Sequence, residues 1–344
     1  MSGAELKSEG LAAELGALGR EARSELGVVE VRRFDRLRKL SRLAEALGRT
    51  LLITPSGPLG FCSGVFALTF HLGLEAQLNH SVMHGAYAGL PGASHLDPKR
   101  YETLALPMRS ETWRIAHKLH HAEPSVLGRD PDTVHPLFRV HDSQRWRPWH
   151  LLNPVLGGLF VFECWAFDYD ALLKQRGLRR RGDRSELSKL LRFWLYQFAL
   201  FAMVAFAAGF DWHRTLWGTL FAVVARNYVF VALQTGSSVG DGISTWHANV
   251  SRRPQGDAWY RFQIETSKNY PLPAWATLIC GGLDRHIEHH LWPNLPPERL
   301  RAISPRVKSL CERHGVRYVE HRSALASYAD SFRYLLRLAR PGRN

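Results

Sequence analysis

The chain has 344 residues, a formal net charge of +14 and an isoelectric point near 10.0. That length holds one large domain or two ordinary ones, and the positive balance points to an anionic partner such as lipid head groups or an acidic protein. Zinc-finger spacing and aromatic RNA-binding runs are missing, which argues against nucleic acid.

Residues 1–50 read as a polar, helical N-terminal segment. Between residues 31 and 49, Arg32, Arg33, Arg36, Arg38, Lys39, Arg42 and Arg49 alternate with Leu37, Leu40, Leu43 and Leu47. This basic amphipathic pattern suits a membrane surface, the alternative being a helix packed on its own protein. Residues 1–23 lack a basic start followed by an apolar core, so no cleaved signal is expected.

Residues 51–295 hold the apolar segments. The run 59–79 is mostly apolar, and 151–167 is apolar apart from Glu163. The run 193–210 is the clearest span, long enough as a helix to cover about 27 Å, near the hydrocarbon thickness. The run 216–233 follows after a short turn, so the two read as a transmembrane hairpin. Arg226 interrupts the second arm. At mid-bilayer an arginine costs about 2.5–3.5 kcal/mol, so it is expected to face the protein interior.

Lys174, Arg176, Arg179, Arg180, Arg181, Arg184, Lys189 and Arg192 precede that hairpin, and such basic loops stay cytoplasmic. One conflict follows. The stretch 51–79, about 29 residues, is too short for two spans, while a single span would send the basic N-terminus outside. Pro55, Gly57 and Pro58 suggest a re-entrant pair. Residues 296–344 are polar with leucine periodicity and read as a cytoplasmic helical cap. Cys62, Cys164, Cys280 and Cys311 form no CxxC pair and read as reduced thiols.

Three histidine clusters dominate the chemistry: HSVMH (His80, His84), HKLHH (His117, His120, His121) and HIEHH (His286, His289, His290). They hold eight of seventeen histidines. Residues three or four apart share a helix face, so each cluster aims its imidazoles one way. Neutral imidazole binds zinc, copper, iron and nickel. Eight exceed the four ligands of one tetrahedral zinc and suit two metal ions. Polar groups that orient imidazoles through the second ring nitrogen are sought among Asp130, Asp132, Glu265, Asn269, Asp284 and Glu288, with a surface or capping role as the alternative for each. Paired Glu-x-x-His motifs of soluble di-iron bundles are not found.

The order and spacing HxxxH, HxxHH, HxxHH resemble the integral-membrane fatty acid desaturase family. So do GGLDRHIEHHLWPNLPPERL at 281–300, Trp113 before the second cluster, Asp130-Pro131-Asp132 after it, and QIETSKNY at 263–270. The likeness runs from about residue 79 to 316. It implies an all-α, integral-membrane helical bundle with a cytoplasmic cap carrying a His-rich di-metal site. It further implies two irons on the eight histidines, with no catalytic residue beyond these ligands. O2 is then the co-substrate, and the product a double bond in the acyl chain of a lipid or acyl-CoA. Oxygen rebound in place of a second hydrogen abstraction would make a hydroxylase, and a non-catalytic metal-binding membrane protein is the rival from another class.

The chain departs from the family pattern at several points. Ser238, in GSSVG, stands where a ninth histidine is expected, and His247 is its candidate substitute. Box two lacks the usual asparagine a few residues on, and box one follows Asn79 rather than an acidic residue. No HPGG haem motif of a fused cytochrome b5 occurs, so electrons are expected from an external ferredoxin or cytochrome b5 type carrier.

Overall fold

The computed structural model describes residues 10–133, 137–247 and 254–341, and its regular secondary structure is almost all helix. The chain opens with α1 (Leu11–Ser24), α2 (Val28–Ile53) and α3 (Gly57–Met83). In α2 the buried positions are Glu30, Val31, Phe34, Ser41, Glu45, Gly48, Arg49 and Leu52, most of them spaced by threes, fours and their sums. That is one helix face, and it packs lengthwise on α3 in a tight hairpin. Gly48 permits the contact: a β-carbon there would lie 2.9 Å from the Leu68 amide nitrogen and 3.1 Å from the Gly64 carbonyl oxygen. The basic stretch 31–49 is one arm of a packed hairpin, and the start of α2 lies beside the end of α3 that bears His80, through Val31 and Phe34 against Leu78 and Val82.

The polar side chains of this hairpin are paired. Arg49 is buried and donates to the Gln197 carbonyl (3.0 Å) and Thr219 Oγ1 (3.1 Å), with its guanidinium over the Phe201 ring. Glu45 takes hydrogen bonds from Arg42 (3.0 Å) and the Tyr196 hydroxyl (3.0 Å). His71 meets Ser41 Oγ at 2.9 Å. Charged groups at membrane depth persist only when paired in this way.

After α4 (Ser110–Ala122) and α5 (Asn153–Gln175), the chain forms α6 (Ser185–Trp194), a π-helical turn (Leu195–Leu200) and α7 (Phe201–Ala207), then returns as α8 (Trp212–Ser238). Among the described residues, three helical stretches are long and apolar enough to cross a membrane: Gly57–Met83, Ser185–Ala207 and Trp212–Ser238. The molecule is an integral-membrane helical bundle. Arg214 donates to Ser56 Oγ (2.9 Å) and the Gly57 carbonyl (3.1 Å), so both hairpin turns lie at the end remote from the histidines. Arg226 is fully buried, as its position demanded. It donates to the Ala105 carbonyl (3.0 Å) and stacks over Phe162. The apolar stretch 151–167 becomes part of α5, which meets α8 near its histidine end through Phe162, Trp165 and Phe230.

The remaining helices are α9 (Asp257–Glu265), α10 (Ala274–Ile279), α11 (His286–Leu291), α12 (Pro297–Arg313) and α13 (Ala324–Ala339). Leu11, Leu15 and Leu18 of α1 share a core with Ile264, Ile287, Ile303 and Val307. Glu14 pairs with Arg313 and His314, and Glu21 with Arg306. Within residues 1–50, α1 packs with α9, α11 and α12, while α2 packs on α3. The C-terminal segment also divides, since α12 joins α1 while α13 lies on α8 through Ser331 Oγ to the Thr235 carbonyl (2.8 Å).

Candidate metal centre

The three clusters sit where three helices end or begin. His80 lies in the last turn of α3 and His84 caps it; His117, His120 and His121 close α4. His286, His289 and His290 occupy the six-residue α11. The approach to α11 needs glycine. Gly281 and Gly282 have φ of 65° and 79°, a region costly for other residues. A β-carbon on Gly281 would come within 2.6 Å of Gln77 Oε1, one turn before His80. Glycine here lets the third cluster close on the first.

Among the described residues three overlapping groups of donors result, the third being His117, His120 and Asp132. His80, His84, His117 and His289 each offer a ring nitrogen within 4.8 Å of the others, and so do His120, His286 and His290. His121 joins the two: its ring is 4.8 Å from His289 and 4.5 Å from His290, with Nε2 3.2 Å from His117 Nε2. Other Nε2 pairs lie at 2.8 Å (His80–His117), 3.1 Å (His80–His84) and 3.0 Å (His286–His290). Two imidazoles at right angles around one metal, each about 2.1 Å from it, would have nitrogens about 3 Å apart. The spacing therefore fits metal. Each group also holds a buried Nε2 with no hydrogen-bond partner in the structure, His289 in the first and His120 in the second.

Electrostatics agree. Burial, aided by neighbouring imidazoles, holds His84, His117, His121, His286, His289 and His290 well below the usual histidine value, so their rings are neutral donors. His120 differs. Burial opposes its charge, but Asp130 and Asp132 outweigh burial and raise it to about 9. Its Nδ1–H donates to Asp130 Oδ1 (2.9 Å), leaving Nε2 directed inward. Asp130 is in turn fixed by the amides of Ser125 (2.7 Å) and Asp132 (2.9 Å). Asp132 accepts a hydrogen bond from the Tyr169 hydroxyl at 2.6 Å and lies 3.6 Å from His120 Nδ1.

The other expected second-layer groups serve α11 rather than its imidazoles. Glu288 accepts from Tyr318 and Asn269 (both 2.7 Å), and Asn269 Oδ1 holds the Ile287 amide (3.0 Å). Asp284 accepts from Thr277 (2.9 Å) and steadies the preceding turn. For Glu265 the described contact is its backbone carbonyl, bound to the Ser244 amide at 2.8 Å. The backbone of His247 pairs with Leu127 in a two-residue parallel bridge, and its side chain lies outside the described residues. The overlooked residue is Gln263, fully buried, whose Oε1 meets His290 Nδ1 at 3.2 Å while its Nε2 donates to the His121 carbonyl at 3.0 Å. It stands inside the quoted run QIETSKNY, where an amide is less conspicuous than a carboxylate.

Trp113 stacks on His80 with ring centroids 5.6 Å apart. Beside His80 and His117 lies a narrow gap of about 10 Å³ bordered by Trp165, Phe230 and Gln234. It adjoins an apolar cavity of about 70 Å³ lined by Phe138, Val161, Val231 and Leu335.

Comparisons with known proteins agree with this architecture. The profile of the family described as fatty acid desaturase matches residues 56–322. An NADPH-dependent stearoyl-CoA 9-desaturase of Mycobacterium tuberculosis is 28% identical over 352 aligned positions, covering 97% of this chain and 81% of the relative. An sn-1 linoleoyl-lipid 6-desaturase of Synechocystis is 24% identical, covering 75% of each chain. A Delta(8)-fatty-acid desaturase 2 of Arabidopsis thaliana is 27% identical, covering 60% of this chain and 48% of the relative. With its histidine groups at the end of a membrane bundle and this match over most of its length, the chain belongs to the fatty acid desaturase family and is an oxidoreductase of lipid metabolism.

Proposed function

We propose that the chain is a di-iron acyl desaturase whose eight box histidines hold the two metals. The observation that carries this reading is the convergence of eight imidazoles into adjoining groups beside an apolar cavity. His80, His84, His117 and His289 would hold one iron; His120, His286 and His290 would hold the other, with His121 between them. Iron, when bound, supplies the O2-dependent oxidation of an unactivated C–H bond. Removal of two hydrogens balances as one O2, two electrons and two protons giving two waters and a double bond.

The protein's part is position and exclusion. The acyl chain would lie against Val161, Val231 and Phe138 and pass Trp165 and Phe230 into the gap at His80 and His117. The aromatic wall excludes water, and hydrophobic contact along the chain fixes which carbon faces the metals. Asp130 and Gln263 hold the Nδ1 protons of His120 and His290, so that the Nε2 lone pairs remain directed at metal. The stearoyl-CoA and linoleoyl-lipid relatives support an acyl-CoA or acyl-lipid substrate. Electrons come from an external carrier such as ferredoxin or cytochrome b5.

The basic residues support a cytoplasmic histidine end. Arg176, Arg179, Arg180, Arg181 and Arg184 precede α6 at that end, and Arg32, Arg33, Arg36, Arg38 and Lys39 begin α2 there. The positive-inside rule orients this end toward the cytoplasm. Iron analysis of the detergent-purified protein tests the reading. Two irons per chain, reduced in His289→Ala, are expected. An iron-free protein that binds zinc alone would overturn it.

A further inference from the structure

The last helix, α13, has three distinct faces. Ser327, Ser331, Leu335 and Leu338 are buried. Ser327 Oγ donates to the Gly236 carbonyl at 2.5 Å and Ser331 Oγ to the Val239 carbonyl at 2.9 Å, which fastens the helix to the end of α8. Leu325, Ala329, Phe332 and Leu336, spaced by four, three and four, make a second stripe that is exposed. Leu325, Phe332 and Leu336 are 77%, 53% and 44% exposed. Arg333, Arg337 and the capping Arg340 make a third stripe, displaced from it by one residue and also exposed. Arg337 pairs with Asp241 at 2.7 Å, while Arg333 and Arg340 have no acidic partner among the described residues. A helix bordering water buries leucine and exposes serine. Here two serines are buried while Leu325, Phe332 and Leu336 face outward.

The surroundings say what the outward face meets. The end of α8 is where a span leaves the hydrocarbon, so α13 is fastened at that level. Tyr328 of α13 and Trp275 of α10 border one apolar cavity of about 300 Å³ with Phe66 of α3 and Val229 of α8. Phe66 and Val229 are exposed on membrane-spanning helices, and Trp275 is exposed beside them. Tryptophan at this level is the usual mark of a lipid–water boundary. The 148–152 turn packs on α13 and exposes Leu151 and Leu152. We propose that α13 lies in the plane of the membrane at the histidine end. Leu325, Phe332 and Leu336 sit among acyl chains, and the arginine stripe meets anionic phospholipid head groups. Apolar burial and charge attraction act together in such a helix. Its buried face contributes Leu335 to the apolar cavity beside the histidines, so one helix borders both the lipid and that cavity.

The test uses the full chain in vesicles, with a nitroxide at Ala329→Cys or Phe332→Cys. The background is Cys62→Ser with Cys164→Ser, since Cys280 and Cys311 are buried. Oxygen concentrates in lipid and a neutral nickel chelate in water, so their relative collision rates with the label report depth. Phe206→Cys on α7 is the lipid reference and Glu312→Cys on α12 the water reference, both positions being exposed. Both α13 labels are expected on the oxygen side, and deeper when phosphatidylglycerol is added to phosphatidylcholine. Arg333→Gln with Arg340→Gln is expected to abolish that deepening. The Ala329 label keeps the test independent of how the fold tolerates loss of Phe332. Collision rates like those at Glu312 in both kinds of vesicle overturn the inference. Shielding from both reagents with spin–spin broadening would mean that a second copy covers the stripe, and overturns it too. Labels on the oxygen side that ignore phosphatidylglycerol overturn the assignment of the arginines to anionic lipid.

Discussion

On the di-iron proposal, replacing Asp130 by Asn is expected to separate the two metals thermodynamically. Asp130 is 1% exposed and accepts three hydrogen bonds: from His120 Nδ1 at 2.9 Å, Ser125 N at 2.7 Å and Asp132 N at 2.9 Å. An ionised carboxylate accepts all three; asparagine has one acceptor oxygen, so its amide must face at least one donor. An unpaired buried donor costs about 1–3 kcal/mol. Loss of the charge also lowers the basicity of His120, and removing such a partner reduces metal affinity by about 10–100-fold, or about 1.4–2.7 kcal/mol. Only the group containing His120 is directly affected. A chelator competition on the iron-loaded protein should therefore show two-step release in Asp130→Asn. One iron leaves at a chelator activity lower by that factor, and the other behaves as in wild type. Wild-type retention of both irons would refute the argument that Asp130 orients a ligand. Parallel weakening of both would show that the groups are not separable.

Two further predictions rest on the same structure. In metal-free protein, six imidazoles with values lowered well below 6.5 take up protons in the unfolded state before the folded one, so stability falls as pH drops below 6.5. The limiting slope is about 1.4 kcal/mol per pH unit for each imidazole. His120 acts oppositely: its contribution is fully present below 6.5 and is lost as pH rises through about 9. Thermal unfolding of the metal-free protein in detergent should therefore peak near neutrality, and iron on His120 Nε2 should remove the alkaline decline. A monotonic profile would contradict this. Separately, Gly48→Leu cannot fit against the Leu68 amide and Gly64 carbonyl. It should destabilise the α2–α3 hairpin by about 1–3 kcal/mol; an unchanged melting temperature would mean the helices are not in close contact.

Much of this arrangement is legible in the chain, and the illegible parts share a cause. The histidine spacing marks donor faces because helix periodicity is local. The pairing of Asp130 with His120 spans only ten residues. By contrast, α2 carries so many basic side chains that its buried face is hard to see. That face includes Glu45 and Arg49, whose partners Tyr196, Gln197 and Thr219 lie about 150 to 170 residues away. Nothing local says that an arginine will meet a π-turn carbonyl. Asn269 and Glu288 read as candidate imidazole partners, Glu288 standing within the third cluster and Asn269 in the run 263–270. Asn269 bonds Glu288 and the Ile287 amide instead, while Gln263 on α9 meets His290 Nδ1. Likewise α1 is a polar helix until Ile264, Ile287 and Val307 supply the surface it covers.

The most direct test of the central claim is mass spectrometry of total acyl chains from cells expressing this protein, supplied with a ferredoxin system and set against a His289→Ala control. The account predicts an acyl species lighter by two hydrogens in the wild type and absent from the control. A product heavier by one oxygen, or an acyl profile identical to the control in cells where the purified protein carries two irons, would contradict it.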